Sequence, residues 1–305
     1  MSGSEPVSHD SIQRSTPRSI VVLTTPRSGS SWTASLMRGT GLLGECREWF
    51  TWLLFEGHAR NFPAPAPART PEAAGGFVAA MRAASSTPNG VSAVKVISSM
   101  WDALPARMAD WGLGDGRGAA WFGEVFPRPS VLVLRRRDRI ARAISWWRAQ
   151  RTLEFARFAG DDGPRAMPEY DLSALRRALA EVDGHAEVLE RAVAAARAVE
   201  GAVIVERTYE DMLEEPGEAV RAIAAAAGIA LPADQRFESE LEVQRDSATA
   251  VIRARFEEDL ARADGSGKGS VAACDDRASP SAERGARWSA LGGWITRIMN
   301  GADAR

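Results

Sequence analysis

The chain reads as an α/β protein: a P-loop-type parallel sheet flanked by helices on both faces, with helical insertions and a C-terminal lid or tail. Two observations predict this. A short apolar run at residues 19–24 gives way to Thr25-Pro26-Arg27-Ser28-Gly29-Ser30-Ser31 and then to helical spacing, which is strand, tight loop and helix N-terminus in succession. Three more short apolar runs, at 91–97, 131–134 and 203–205, are separated by long helical stretches. That alternation favours parallel strands with crossover helices.

Taken in order, the first 18 residues are polar and read as a disordered leader without the apolar core of a signal peptide. The helix at 30–40 ends near Gly39 and Gly41. The segment Glu45–Phe55 is aromatic and apolar, with Trp49, Phe50, Trp52 and Phe55. Residues 62–69 alternate Pro and Ala and read as a loop or lid. A helix at 75–84 leads to the turn Thr87-Pro88-Asn89-Gly90. The strand 91–97 carries Lys95 near its end. The strand 131–134 runs into Arg135-Arg136-Arg137, and helices are expected at 138–158 and 171–199. The strand 203–205 precedes Tyr209-Glu210-Asp211 and a helix at 216–228. The main domain is expected over 19–262, a Gly/Ser-rich linker or mobile loop over 263–287, and a C-terminal helix and tail over 288–305, its apolar spacing set by Trp288, Leu291, Ile295 and Ile298.

Composition narrows the function. The chain has 305 residues, enough for one large α/β domain, and 38 Lys+Arg balance 40 Asp+Glu, so nothing points to a nucleic-acid partner. Cys46 and Cys274 lie far apart, with neither metal-ligand spacing nor a disulfide framework, which fits a reducing cytoplasm. No apolar run approaches the roughly 18 residues of a membrane span. No metal site is expected.

The loop after the first strand is built to hold a phosphate-like anion. A helix start presents unpaired N–H groups and partial positive charge. Ser28, Ser30 and Ser31 add hydroxyls, Gly29 permits close backbone approach, and Arg27 adds a permanent charge. It is not a Walker A loop, whose second Gly-Lys is missing. The plain alternative is a serine N-cap on an ordinary helix. A second anion pocket is expected where the arginine run meets Ser145, nine residues after Arg136 and eight after Arg137, because three adjacent arginines repel unless an anion or carboxylate sits among them. The plain alternative there is a solvated basic cluster capped by Asp138.

The loop Pro26-Arg27-Ser28-Gly29-Ser30-Ser31-Trp32 resembles the 5′-phosphosulfate loop of sulfotransferases, which typically reads Pro-Lys-Ser-Gly-Thr-Thr-Trp. The resemblance narrows to the bacterial trehalose 2-sulfotransferase family through Gly41-Leu42-Leu43-Gly44-Glu45, Glu48-Trp49-Phe50, Thr87-Pro88-Asn89-Gly90-Val91 with Lys95, and Ala143-Ile144-Ser145-Trp146-Trp147-Arg148-Ala149 with Thr152, running from about residue 19 to 260. It implies 3′-phosphoadenosine-5′-phosphosulfate (PAPS) as co-substrate, with PAP as product. Arg27, Ser28, Gly29, Ser30, Ser31 and Trp32 would hold the phosphosulfate. Arg136 and Ser145, with Arg137 the alternative, would hold the 3′-phosphate, and Tyr209 would lie near the adenine.

Glu48 falls on that family's proposed general base, and its aromatic neighbours set it apart from an ordinary exposed glutamate. Lys95 and Arg27 would stabilise the leaving group; the plain alternative for Lys95 is a snorkelling strand-end lysine. Many eukaryotic relatives place a His two residues after this lysine, where this chain has Ile97. His9 sits in the leader and His185 in a helix, so His58 is the rival base. Glu45, Trp49, Phe50, Trp52 and His58 form the expected acceptor side, with Glu45 orienting a hydroxyl. Arg245 and Arg253 could close over the donor from a C-terminal lid. The chain departs from the family at Pro26, where the trehalose enzyme has Gln, and in the Pro-Ala run, so the acceptor is read as a carbohydrate or glycosylated metabolite, with a lipidated or nucleoside-type natural product also open. A homodimer is expected from the resemblance and the aromatic C-terminal helix. Two other classes stay open: a P-loop kinase acting on a small metabolite, disfavoured by arginines where a magnesium-holding carboxylate belongs, and a non-catalytic PAP-binding protein.

Overall fold

Four parallel strands form the centre of the computed structural model: β1 (Arg18–Thr24), β2 (Val91–Ile97), β3 (Ser130–Arg135) and β4 (Val203–Thr208), in the order β2-β1-β3-β4. The structure describes residues 18–51, 71–116, 120–158, 167–242 and 247–265. Arg18, expected to close the leader, instead opens β1; the rest of the leader and the C-terminal helix lie outside the described residues, as do the Pro-Ala run, Trp52, Phe55, His58 and Arg245.

Side chains alternate across the pleat and feed two cores. Val21, Leu23, Val94, Val96, Val131 and Val133 face one side. There they meet α2 (Pro71–Ala84), α3 (Ser98–Trp101), α4 (Leu104–Ala109), α5 (Ala120–Val125) and the second half of α7 (Leu172–Arg197). Ile20, Val22, Ala93, Leu132 and Leu134 face the other side, against α1 (Ser30–Gly39), α8 (Tyr209–Glu214) and α9 (Pro216–Ala226). Burial on both faces explains why β1, β2 and β3 read as near-continuous apolar runs, whereas the edge strand β4 is only partly buried. A third cluster joins α6 (Arg139–Thr152), the first half of α7 and α10 (Ser247–Gly265) through Ile144, Trp147, Leu175 and Phe256.

Several boundaries differ from the sequence-based expectation, each with a local cause. The helix expected to reach 158 stops at Thr152, because Leu153 takes a left-handed conformation (φ 59°) and the following residues leave the helix. The helix expected from 171 starts at Leu172, with Asp171 accepting a hydrogen bond from the Ala174 N–H at 2.9 Å. The last strand runs three residues longer than expected, and α8 follows it behind a capping box in which the Thr208 side chain and Asp211 each bond the other's backbone. The short helices α3–α5 and the long α10 were not foreseen. α10 carries the chain to Gly265, beyond the expected start of a linker at 263.

Residues 45–48 run along the outer edge of β2. Ala93 N–H and Glu45 N–H both donate to Ser85 O, and Lys95 N–H donates to Arg47 O at 2.8 Å. Gly44 makes this approach possible: a Cβ there would lie 2.5 Å from Ala93 N. The path sets Glu48 beside Lys95.

Candidate active site

In parallel α/β sheets ligands bind beyond the carboxyl ends of the strands, at the point where the strand order reverses. Here that point lies between β1 and β3, and most of the expected donor-side residues gather there. The loop leaving β1 turns twice through left-handed backbone, at Arg27 (φ 63°) and Gly29 (φ 78°), before α1 begins. Thr33 N–H makes the first helical bond, to Gly29 O at 3.0 Å, and no side chain caps the helix. A serine N-cap is therefore absent: the N-cap is Gly29, and the N–H groups ahead of Thr33 have no helical acceptor. A Cβ on Gly29 would sit 2.3 Å from Tyr209 Cδ2, so the ring closes directly over the loop.

Arg27, Gly29, Ser30, Ser31, Trp32, Arg136, Ser145 and Tyr209 line one open, solvent-facing cleft. Arg27 reaches across it: its Nε donates to Ser145 Oγ at 2.9 Å and its Nη1 to Phe155 O. Arg136 Nη1 donates to Arg27 O at 3.1 Å, and its guanidinium stacks over the Tyr209 ring, 4.8 Å from the centroid. The far wall was not foreseen. It comprises Phe155, Ala156, Arg157, Leu241 and Glu242, clasped where Glu242 N–H donates to Arg157 O and Phe158 pairs with Leu241. Its formation follows from the early end of α6.

The three arginines at the end of β3 divide. Arg135 pairs with Glu190 and Glu206, and Arg137 points outward to Glu210 and Asp211. Arg136 alone of the three lines the cleft. Asp138 caps α6 through Ala141 N–H and pairs with Arg253 of α10. Burial raises the Asp138 carboxyl's pKa, but the Ala141 N–H and Arg253 outweigh it and hold it below the usual 3.8. Arg253 thus ties α10 to the start of α6 rather than lining the cleft. Ser28 also lies behind the cleft wall, its buried hydroxyl 2.6 Å from Thr25 Oγ1.

Lys95 is no snorkelling lysine. It is 5% exposed, and its Nζ lies 2.9 Å from Glu48 Oε1 and donates to Ser31 Oγ at 3.1 Å. Glu48 and Lys95 stand outside the cleft lining but connect to it through Ser31. The aromatic residues expected on the acceptor side are placed differently. Phe50 is fully buried, edge-on to Trp121 and Phe126, and Trp49 is buried in the same core with its Nε1 donating to Glu45 O. Neither offers a free face for stacking, because the edge path that brings Glu48 to Lys95 turns both rings into the sheet-facing core. Glu45 is partly exposed and its carboxylate lies 3.7 Å from Arg47. Among the described residues, no group of His, Cys, Asp or Glu is arranged to hold a metal, and no helix is long and apolar enough to cross a membrane.

The family model described as Stf0 sulphotransferase matches residues 19–259. No curated protein matches the chain. Among solved structures it is similar to the "Sulfotransferase Domain from the Curacin Biosynthetic Pathway", at 12% identity over 79% of this chain and 98% of that one, with a TM-score of 0.40. It is also similar to the sulfotransferase from Alicyclobacillus acidocaldarius, at 13% identity over 82% of this chain and 95% of that one, with a TM-score of 0.43.

Proposed function

The chain belongs to the Stf0 sulphotransferase family and is a sulfotransferase acting on a small-molecule acceptor, and from that premise we propose that it transfers the sulfuryl group of PAPS to a hydroxyl of a carbohydrate or glycosylated metabolite, with Glu48 as general base. One observation carries this reading. An uncapped helix start, Arg136, Ser145 and Tyr209 converge on one cleft, while the Glu48–Lys95 pair meets the same loop at Ser31. The cleft fits a nucleotide with an anion at each end: N–H groups and serine hydroxyls lie on one side, and a guanidinium stacked on an aromatic ring lies on the other.

The chemistry assigns each residue one task. The acceptor oxygen attacks sulfur as its proton passes to the Glu48 carboxylate, which its 2.9 Å contact with Lys95 Nζ holds in place. The bond from sulfur to the bridging oxygen of the 5′-phosphate breaks, and that oxygen takes the electron pair. Lys95, the α1 N–H groups and Arg27 supply fixed positive charge toward it. Family membership leaves the kinase and non-catalytic alternatives without support. Isothermal titration with PAP in the absence of metal, and labelled-sulfonate transfer across sugars and glycosylated metabolites, test the reading together. Glu48→Gln is expected to lower turnover by about 10²-fold or more while PAP affinity stays within a few-fold. Absence of PAP binding by the parent chain overturns the donor assignment; unchanged turnover in the variant removes Glu48 from the mechanism.

A further inference from the structure

One buried cation stands behind the anion loop rather than in it. Arg142 lies on the face of α6 that also presents Ser145, one turn earlier, and is 5% exposed. Its Nη1 donates to Thr25 Oγ1 at 3.0 Å and its Nη2 to Val182 O at 2.6 Å, while its Nε has no partner among the described residues. Among the described residues no carboxylate forms an ion pair with it. Asp183, the strongest acidic influence on it, is bonded to Arg139, and Glu210 accepts from the Arg137 and Asp138 N–H groups. Burying a guanidinium without an ion-pair partner is costly, and burial pulls its pKa down to about 10, against attraction from Asp183. A multiply charged anion held by the loop just beyond would offset part of that cost.

The path from Arg142 to the loop is a chain of hydroxyls. Thr25 Oγ1 accepts from Arg142 and lies 2.6 Å from Ser28 Oγ. A hydroxyl that accepts from a cation becomes a stronger donor. In the arrangement this favours, Thr25 donates to Ser28, whose own hydroxyl proton is then directed to the turn leading into Gly29 and α1. We propose that Arg142 is a positioning residue for the donor site: acting through Thr25 and Ser28, it fixes the polarity of the loop and supplies from behind a positive charge that the bound sulfonucleotide neutralises. This rests on the donor reading above.

The test separates hydroxyl relay from packing. Thr25→Val keeps the shape of threonine and removes the relay; Thr25→Ser keeps the relay and removes a methyl group. PAP affinity by titration is expected to fall about tenfold or more in Thr25→Val and in Arg142→Gln, to stay within about threefold of the parent in Thr25→Ser, and to fall no further in the Thr25→Val/Arg142→Gln double variant than in the weaker single one. The Michaelis constant for the donor should rise more than turnover at saturating donor falls. If Arg142→Gln does not fold, the Thr25 pair carries the decision alone. Parent-like affinity in Thr25→Val, or equal losses in the Val and Ser variants, overturns the proposal while leaving the donor assignment standing. A parent chain that does not bind PAP at all removes both.

Discussion

At Gly29 two demands meet at one Cα: a left-handed backbone (φ 78°) and a Tyr209 ring so close that a Cβ would overlap it. Arg27 takes nearly the same backbone conformation with a full side chain. It is held there because Arg136 bonds its carbonyl while its own guanidinium is anchored at Ser145 and Phe155. Strain of this kind persists where the surroundings over-determine it. Gly29→Ala has no such compensation. Its left-handed backbone alone costs about 1–2 kcal/mol, and relief of the clash must push Tyr209 off Arg136. The expected outcome is a lower thermal midpoint together with a PAP affinity weakened more than tenfold, read by calorimetry and titration; a variant that melts lower yet binds PAP normally would show that the ring contact does not shape the site.

At the level of elements, the end of β3 shows how a strand sorts identical side chains. Arg135 closes the strand and reaches Glu190 and Glu206, while in the turn just past it Arg136 bonds Arg27 O and Arg137 reaches Glu210 and Asp211. The surrounding carboxylates relieve the repulsion that the bare sequence poses. Arg136→Ala is expected to weaken PAP binding by about tenfold to a hundredfold, since it removes a charge-assisted donor and the stack on Tyr209. Arg137→Ala should change affinity by less than about threefold, because exposed pairs such as Arg137–Asp211 contribute little. The reverse ranking in parallel titrations would move the proposed 3′-phosphate contact from Arg136 to Arg137.

Across the whole molecule, the sheet is covered on both sides, and the third cluster binds α6, α7 and α10 into one wall behind the cleft. His185 sits in that wall, edge-on to Trp146 at 5.8 Å. Burial pushes its pKa below 6.5, against the pull of Glu181. The unfolded chain therefore takes up this proton at a higher pH than the folded one. The contribution is complete above pH 6.5 and is lost as pH falls from there through the folded value. Asp138 adds a second acid-side loss, beginning near 3.8. Thermal midpoints measured in steps from neutral to mildly acidic pH should decline below about 6.5 in the parent, and His185→Gln should flatten that first decline; an unchanged slope in the variant assigns it to other groups.

The strand–loop–helix at 19–40, the parallel α/β class and the grouping of Arg27, Arg136, Ser145 and Tyr209 were legible in the sequence, because a phosphate-type loop needs particular residues at fixed short spacing and a sheet buried on both faces needs uninterrupted apolar strands. Local chemistry carries such signals. The sequence did not show that α6 would stop at Leu153, that its continuation would clasp Leu241 and Glu242 into a cleft wall, or that Trp49 and Phe50 would turn inward. Those outcomes depend on which distant surfaces meet. Arg142 had one available signal, its place one helical turn before Ser145, but a single buried arginine reads like any other until its neighbours are known. Residue order determined the fold class and the strand–loop–helix with its uncapped helix start; only tertiary packing decided which arginine faces the cleft, where Glu48 meets Lys95, and which cation lies behind the loop, since burial and charge compensation are properties of neighbours brought together from far along the chain.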